Sequence, residues 1–156
     1  SPARAVYVYD FDPVTGTPTN RRLFARTVPP VEPDGSCVDA DDHLWNARWR
    51  GGEVVRHRPD GSIDLALPVP VSQPTCVCFG GPALNLLAVT SASVELSESE
   101  RGEQPLAGAL FNAKAGEWPA GGAVEAGLLA ALPGLYQLPG YLSGHHGGAG
   151  ELLGAA

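Results

Sequence analysis

Residues 36–47, SCVDADDHLWNA, and residues 75–89, TCVCFGGPALNLLAV, decide the architecture. Each holds a short strand-like run (Ser36-Cys37-Val38; Thr75-Cys76-Val77), a turn, and a second run (Leu44-Trp45-Asn46-Ala47; Leu86-Leu87-Ala88-Val89), and the copies lie about 39–42 residues apart. A Gly-led third strand follows each, Gly52-Glu53-Val54-Val55 in one and Gly108-Ala109-Leu110-Phe111 in the other. A period near 40 residues with four strands to the unit is the signature of propeller blades. Upstream, residues 5–11 (AVYVYDF) alternate β-branched and aromatic residues, occupy the same third-strand position, and lead through a turn at 12–16 into a strand over 22–28. The remaining strands are expected at 36–39, 44–49, 53–58, 62–68, 75–79, 86–91 and 108–113, with turns at 40–43, 50–52, 59–61 and 80–82. The units sum to about two and a half blades. Propeller rings close with at least four. An all-β, partial propeller is therefore the expected fold, and the chain is expected to be part of a larger ring. The lack of any methionine, at position 1 included, gives the same expectation of a processed chain or, preferably, a fragment.

Composition narrows the function classes. Ten Lys+Arg and a net charge of −7 argue against a nucleic-acid binder, while 44% hydrophobic and 17% charged residues argue against a charged disordered chain. Twenty Gly and fifteen Pro punctuate the 156 residues too often for a helical bundle. The composition breaks near residue 115: residues 1–114 hold all ten basic residues, whereas 115–156 hold 11 Gly and no base. The second stretch is expected to be a low-complexity tail, poorly ordered and outside the fold, with a docked helix over 124–132 as the alternative. Pro133 and Pro139 interrupt its uncharged run, so no membrane-spanning helix is expected, and no secretory signal is expected at Ser1, which opens onto strand-like sequence. Three cysteines cannot form a fully paired disulfide framework and point to a reducing, cytoplasmic compartment.

Pro33-Asp34-Gly35-Ser36-Cys37-Val38-Asp39-Ala40, followed by His43-Leu44-Trp45, resembles the PDG-x-C-x-D-A-x-G-x-L-W signature of the gluconolactonase, senescence marker protein and regucalcin family. Ala47-Arg48-Trp49 with Gly51-Gly52-Glu53-Val54-Val55-Arg56 resembles that family's next two strands. Pro74-Thr75, Phe79-Gly80-Gly81, Val89-Thr90-Ser91-Ala92 and Gln104-Pro105-Leu106-Ala107-Gly108 with Leu110-Phe111 resemble its last blade. The resemblance runs over residues 4–113 and implies the C-terminal half of a six-bladed propeller. It also implies a hydrolase of sugar lactones and related esters, dependent on a divalent metal ion (Ca, Zn, Mn or Mg) held in the central channel. The family's ligands are a first-blade Glu, an Asn in an N-G-L motif and the Asp of the PDG signature. Only the last maps here, onto Asp34, as metal ligand and catalytic residue; no Asn-Gly-Leu occurs in the sequence. The family's substrate-holding Arg and Asn residues would likewise lie upstream, so the chain alone is expected to be inactive. Two departures, Asn46 at a usually apolar strand position and Ala88 in place of a larger residue, are expected to loosen packing between blades without touching the channel.

The role suits Asp34 chemically, because hard divalent cations take carboxylate and amide oxygens from several segments. The residue is expected just before a blade's innermost strand, facing the channel mouth. Pro59-Asp60-Gly61, the same tripeptide, reads as an outer hairpin turn. Asp39, Asp41 and Asp42 resemble the start of an EF-hand loop, but His43 replaces its Gly and no Glu closes it, so a solvated turn is expected. Cys76-x-Cys78 puts two structural thiols on one strand face without a second pair at zinc spacing. Gly148-x-Gly150 with Gly154 mimics a dinucleotide loop but has no strand before it, and His145-His146 reads as an exposed tail pair. Glu95, Glu98, Glu100 and Glu103 around Arg101 read as a solvated acidic loop. No Gly-x-Ser-x-Gly elbow is present. Two functions stay open: part of a metal-dependent lactonase, or a non-catalytic propeller piece acting as an interaction or assembly module. Either way, exposed blade faces are expected to drive self-association.

Overall fold

A computed structural model describes residues 2–114 together with Ala130 and Ala131. Strands β1 (Ala5–Asp12) and β2 (Thr17–Arg26) form an antiparallel hairpin. Strands β3 (Glu32–Val38), β4 (Leu44–Trp49), β5 (Glu53–His57) and β6 (Ile63–Pro68) form a four-stranded antiparallel sheet in sequence order. A second such sheet follows, with β7 (Pro74–Gly80), β8 (Leu86–Ser91), β9 (Leu110–Lys114) and the two-residue β10 (Ala130–Ala131). Two consecutive up-and-down sheets, entered each time at the same edge strand, are successive propeller blades; the hairpin supplies half of the blade before them. The fold is all-β and partial, as the repeat implies, and the sheets do not close into a ring.

Local chemistry sets the turns. After β1 the Asp12 carboxylate accepts from the Val14 amide at 2.9 Å and the Thr15 hydroxyl at 2.8 Å, and Gly16 closes the turn at φ +69°. The Pro59–Gly61 turn forms as expected: the Asp60 carboxylate accepts from the Ser62 amide at 2.9 Å, and Gly61 stands at φ +86°. Strand edges shift from the sequence reading. The expected strand at 22–28 runs from Thr17 to Arg26, and the one at 36–39 begins earlier, at Glu32, and ends at Val38. The acidic stretch is not an irregular loop. Residues Glu98–Glu103 form the short helix α1. Its capping box has the Glu100 amide donating to the Ser97 hydroxyl at 3.3 Å and the Ser97 amide donating to the Glu100 carboxylate at 2.7 Å.

The core lies between the two sheets. Trp45, Val54, Leu65 and Leu67 from one face of the first pack against Val77, Leu87, Val89 and Phe111 of the second. Trp45 and Phe79 meet edge to face, with ring centroids 5.6 Å apart. The other face of the β3–β6 sheet carries Asn46, Arg48 and His57, all buried, and Phe24 of β2 stacks edge-on to His57 at 5.8 Å. The edge strands β3 and β7 adjoin, so they mark the inner side of the blades. Of the stretch 115–156, Ala130–Ala131 pair with β9; the expectations for the rest of the tail, including a helix over 124–132, lie outside the described residues.

Candidate functional site

Asp34 does not precede the inner strand but lies within it. Between Pro33 and Ser36 the ladder slips: Pro33 pairs with Arg48 and Ser36 with Asn46, so β3 carries one residue more than β4. Asp34 and Gly35 form this β-bulge, a device that terminates regular pairing and re-aims a side chain. The bulge is held from two sides. From β4, the Asn46 side-chain amide donates to the Asp34 carbonyl at 2.8 Å and to the Ser36 hydroxyl at 2.9 Å. From β7, Cys76 packs so closely on Gly35 that a Cβ there would sit 2.6 Å from its Sγ and 2.8 Å from its Cα. Glycine is the residue that fits this approach of the two inner strands. Asn46, expected to loosen packing between blades, is fully buried and ties β4 to β3 of the same blade at the bulge. Ala88, the other departure, is half-buried on β8 opposite Cys78.

The Asp34 residue is exposed, yet burial of its carboxyl among neighbouring atoms raises its pKa above the ordinary value, against the opposing Gly35 amide. At the same end of the blades, Arg4, Pro30, Glu32, Trp49, Arg50 and Glu95 line a cleft of about 300 Å³. Ion pairs Arg4–Glu32 at 3.1 Å and Arg50–Glu95 at 3.0 Å occupy its walls.

Asp39, Asp41 and His43 offer ligand atoms within 4.8 Å of one another, the group of this kind found among the described residues. They sit at the opposite end of β3 from Asp34, in the β3–β4 hairpin. The Asp39 carboxylate there accepts from the Asp41 amide at 3.0 Å, the His43 amide at 2.9 Å and the Trp45 indole N–H at 2.9 Å. Burial alone would raise the Asp39 carboxyl; the Trp45 and backbone bonds outweigh it and hold the group below the usual carboxylate range. Its hydrogen bonds organise the turn, in keeping with the turn reading. Cys76 and Cys78 are exposed and free, flanking buried Val77 on β7. Cys37 is half-buried, and burial together with the two nearby thiols pushes it up to about 11, which keeps it an inert thiol at neutral pH. His145, His146 and the glycines at 148, 150 and 154 lie outside the described residues.

Among the described residues, Asp34 is the ligand this bulge offers a cation. Among those residues the carboxylate makes no ion pair with a side chain and belongs to no three-residue ligand group; the N-terminal ammonium lowers its pKa and the Glu32 carboxylate raises it. The donor chemistry fits a hard divalent ion, which draws its remaining oxygens from other segments. The family resemblance, not the tripeptide by itself, reached Asp34; Asn46 stood out only as a departure from an apolar position, and neither it nor Gly35 was given a role at the bulge. An amide between Trp45 and Ala47, at a strand position that is usually apolar, was the available signal, since a buried amide is normally hydrogen-bonded.

Residues 1–93 match the family described as SMP-30/Gluconolactonase/LRE-like region. The chain is 45% identical over 112 residues to an L-arabinolactonase of Azospirillum brasilense, covering 71% of this chain and 36% of the relative. It is 40% identical over 114 residues to a pentonolactonase of Haloferax volcanii, covering 70% and 39%. A crystal structure of a calcium-binding protein, regucalcin, from Agrobacterium tumefaciens superposes with a TM-score of 0.66 at 36% identity, over 70% of this chain and 38% of that one. The chain thus spans less than two-fifths of the length of these relatives. With the blade pair, the bulged inner strand and these matches together, the chain belongs to the SMP-30/gluconolactonase/LRE-like family.

Proposed function

We propose that this chain forms the C-terminal blades of a divalent-metal-dependent hydrolase of sugar lactones or related esters, and that Asp34 is the metal ligand and catalytic-site carboxylate it contributes. The observation that carries the reading is the placement of Asp34: a carboxylate with no side-chain ion pair among the described residues, on a bulge of the inner strand, within the residues that match the family. The relatives' names support the substrate class, since they include an L-arabinolactonase, a pentonolactonase and a 6-deoxy-6-sulfogluconolactonase. A bound divalent ion (Ca, Zn, Mn or Mg) would polarise a lactone carbonyl and acidify water. Asp34 would give that ion one anionic oxygen, and the bulge would keep the carboxylate directed away from the sheet. Three free thiols support a reducing, cytoplasmic setting, and no described helix is long and apolar enough to cross a membrane. Catalysis requires ion, water and lactone to be positioned together, and positioning alone is worth about 7–11 kcal/mol of barrier; one ligand does not supply it, so the short chain is inactive by this reading. The exposed apolar residues of β1 and β2 favour a second reading, a non-catalytic assembly module.

The test uses the protein extended upstream through the blades its relatives carry. Proton release from an aldonolactone is followed after chelation and after return of Ca²⁺, Zn²⁺, Mn²⁺ or Mg²⁺. Turnover that returns with metal and is lost in Asp34→Ala supports the proposal. An Asp34→Ala enzyme as active as the parent overturns it. Turnover by the short chain that Asp34→Ala removes overturns the inactivity of the fragment, and an extended protein without turnover favours the module.

A further inference from the structure

The residue that holds Asp34 in place is Asn46, and we propose that it is a positioning residue for the cation site; this rests on the reading of Asp34 given above. A β-bulge leaves its extra residue outside the ladder, so the Asp34 carbonyl lacks the strand partner that a regular β3–β4 pairing would provide. Asn46 replaces that partner. Its Nδ2 carries two hydrogens, and both reach β3: one to the Asp34 carbonyl at 2.8 Å, the other to the Ser36 hydroxyl at 2.9 Å. One acceptor is the Asp34–Gly35 peptide and the other the Ser36 side chain beyond the bulge, so the amide fixes the peptide plane that follows Asp34, ties it to Ser36 and thereby sets the direction in which the Asp34 side chain leaves the backbone.

The arrangement is not what stability alone would select. Asn46 is 0% exposed, and its Oδ1 is buried without a hydrogen-bond partner among the described residues. An orphaned buried carbonyl is unfavourable, and an apolar residue of similar shape would remove that burden. The amide therefore stays at the expense of packing, in the one place where its N–H groups control the bulge that carries Asp34. Residues that orient a metal ligand from behind change metal affinity by about 10–100-fold when removed. The stability and binding effects of one substitution, Asn46→Val, should then have different signs. Removing the orphaned Oδ1 holds or raises the melting temperature, while loss of both Nδ2 bonds frees the bulge and weakens the cation.

The experiment uses the complete, upstream-extended protein with Mn²⁺ alone as the probe, free ion being read by electron paramagnetic resonance. Melting temperature and amide exchange at Gly35 and Ser36 are measured on the metal-free form. Asn46→Val is expected to weaken Mn²⁺ binding by about tenfold or more, to speed exchange at Gly35 and Ser36, and to melt no lower than the parent. Unchanged Mn²⁺ affinity in Asn46→Val, beside an Asp34→Asn variant that has lost it, overturns the positioning role and leaves the Asp34 reading standing. Undiminished Mn²⁺ affinity in Asp34→Asn overturns both. Should Asn46→Val fail to fold, Asn46→Ser is read in its place by the same criteria: weaker Mn²⁺ with faster exchange supports the role, and parental affinity overturns it.

Discussion

Replacing Trp45 by Phe should reveal how the blade core and the β3–β4 turn are joined. Trp45 is fully buried and touches three systems: its ring packs edge-on to Phe79, Arg56 lies over it at 5.3 Å, and its indole N–H donates to the Asp39 carboxylate at 2.9 Å. Phe keeps most of the apolar volume but loses the hydrogen bond to a charged group, a loss of about 1.5–3 kcal/mol, and leaves a small void that adds about 1–2 kcal/mol. Together the substitution should destabilise the chain by about 2.5–5 kcal/mol. Urea unfolding at matched protein concentration, for the parent, Trp45→Phe, Asp39→Asn and the double variant, isolates the shared bond. A coupling of about 1–2 kcal/mol is expected. Acid dependence supplies the sign. The folded Asp39 carboxyl lies below its ordinary value of 3.8, so it contributes stability above about pH 4 that is lost as pH falls through the folded value. Trp45 is the strongest group lowering it, so the gap between parent and Trp45→Phe should narrow below pH 4. Additive effects within about 0.5 kcal/mol, or a gap indifferent to acid, would refute the reasoning.

Three other outcomes follow from the same geometry. Buried His57 receives a hydrogen bond from Arg48 at 2.8 Å and donates from Nδ1 to the Gly61 carbonyl at 2.9 Å. Its pKa is lowered, by burial first and also by Arg48, so the unfolded chain binds the proton more readily. Stability should fall as pH drops below about 6.5, with the slope flattened in His57→Gln by thermal melts across pH 5–8. Gly61→Ala puts a Cβ onto the Phe24 carbonyl at φ +86°, and should cost about 2–5 kcal/mol and detach β2 from the β5–β6 turn; unaltered amide protection in β2 would count against it. The short chain, with Tyr9 45%, Phe11 64%, Leu23 51% and Val38 58% exposed, should self-associate, whereas a single monomeric boundary in sedimentation velocity at all concentrations would contradict this.

The sequence by itself determined what depends on neighbours in the chain. Strand alternation at Ala5–Asp12, the turn at Pro59–Gly61 and the forty-residue repeat are local patterns, and from them came the blades, their order and the fragmentary ring. The helix at Glu98–Glu103 was equally local, since Ser97 and Glu100 stand at capping-box spacing, but the density of charge concealed it. Resemblance singled out Asp34; no local pattern separates its PDG from that of Asp60, because both are turn-forming tripeptides. Only the tertiary structure decided how they differ. Asp34 lies in a bulge because Asn46, twelve residues on, reaches its carbonyl and because Cys76, from the next blade, leaves room for nothing larger than Gly35. The Asp60 turn is closed by its own Ser62 and seated on Phe24. Arg48 and His57 likewise become partners only once β4 and β5 align. These contacts join residues whose separation along the chain carries no signal, and the free energy of a buried amide or imidazole is set by what the folded sheets place beside it.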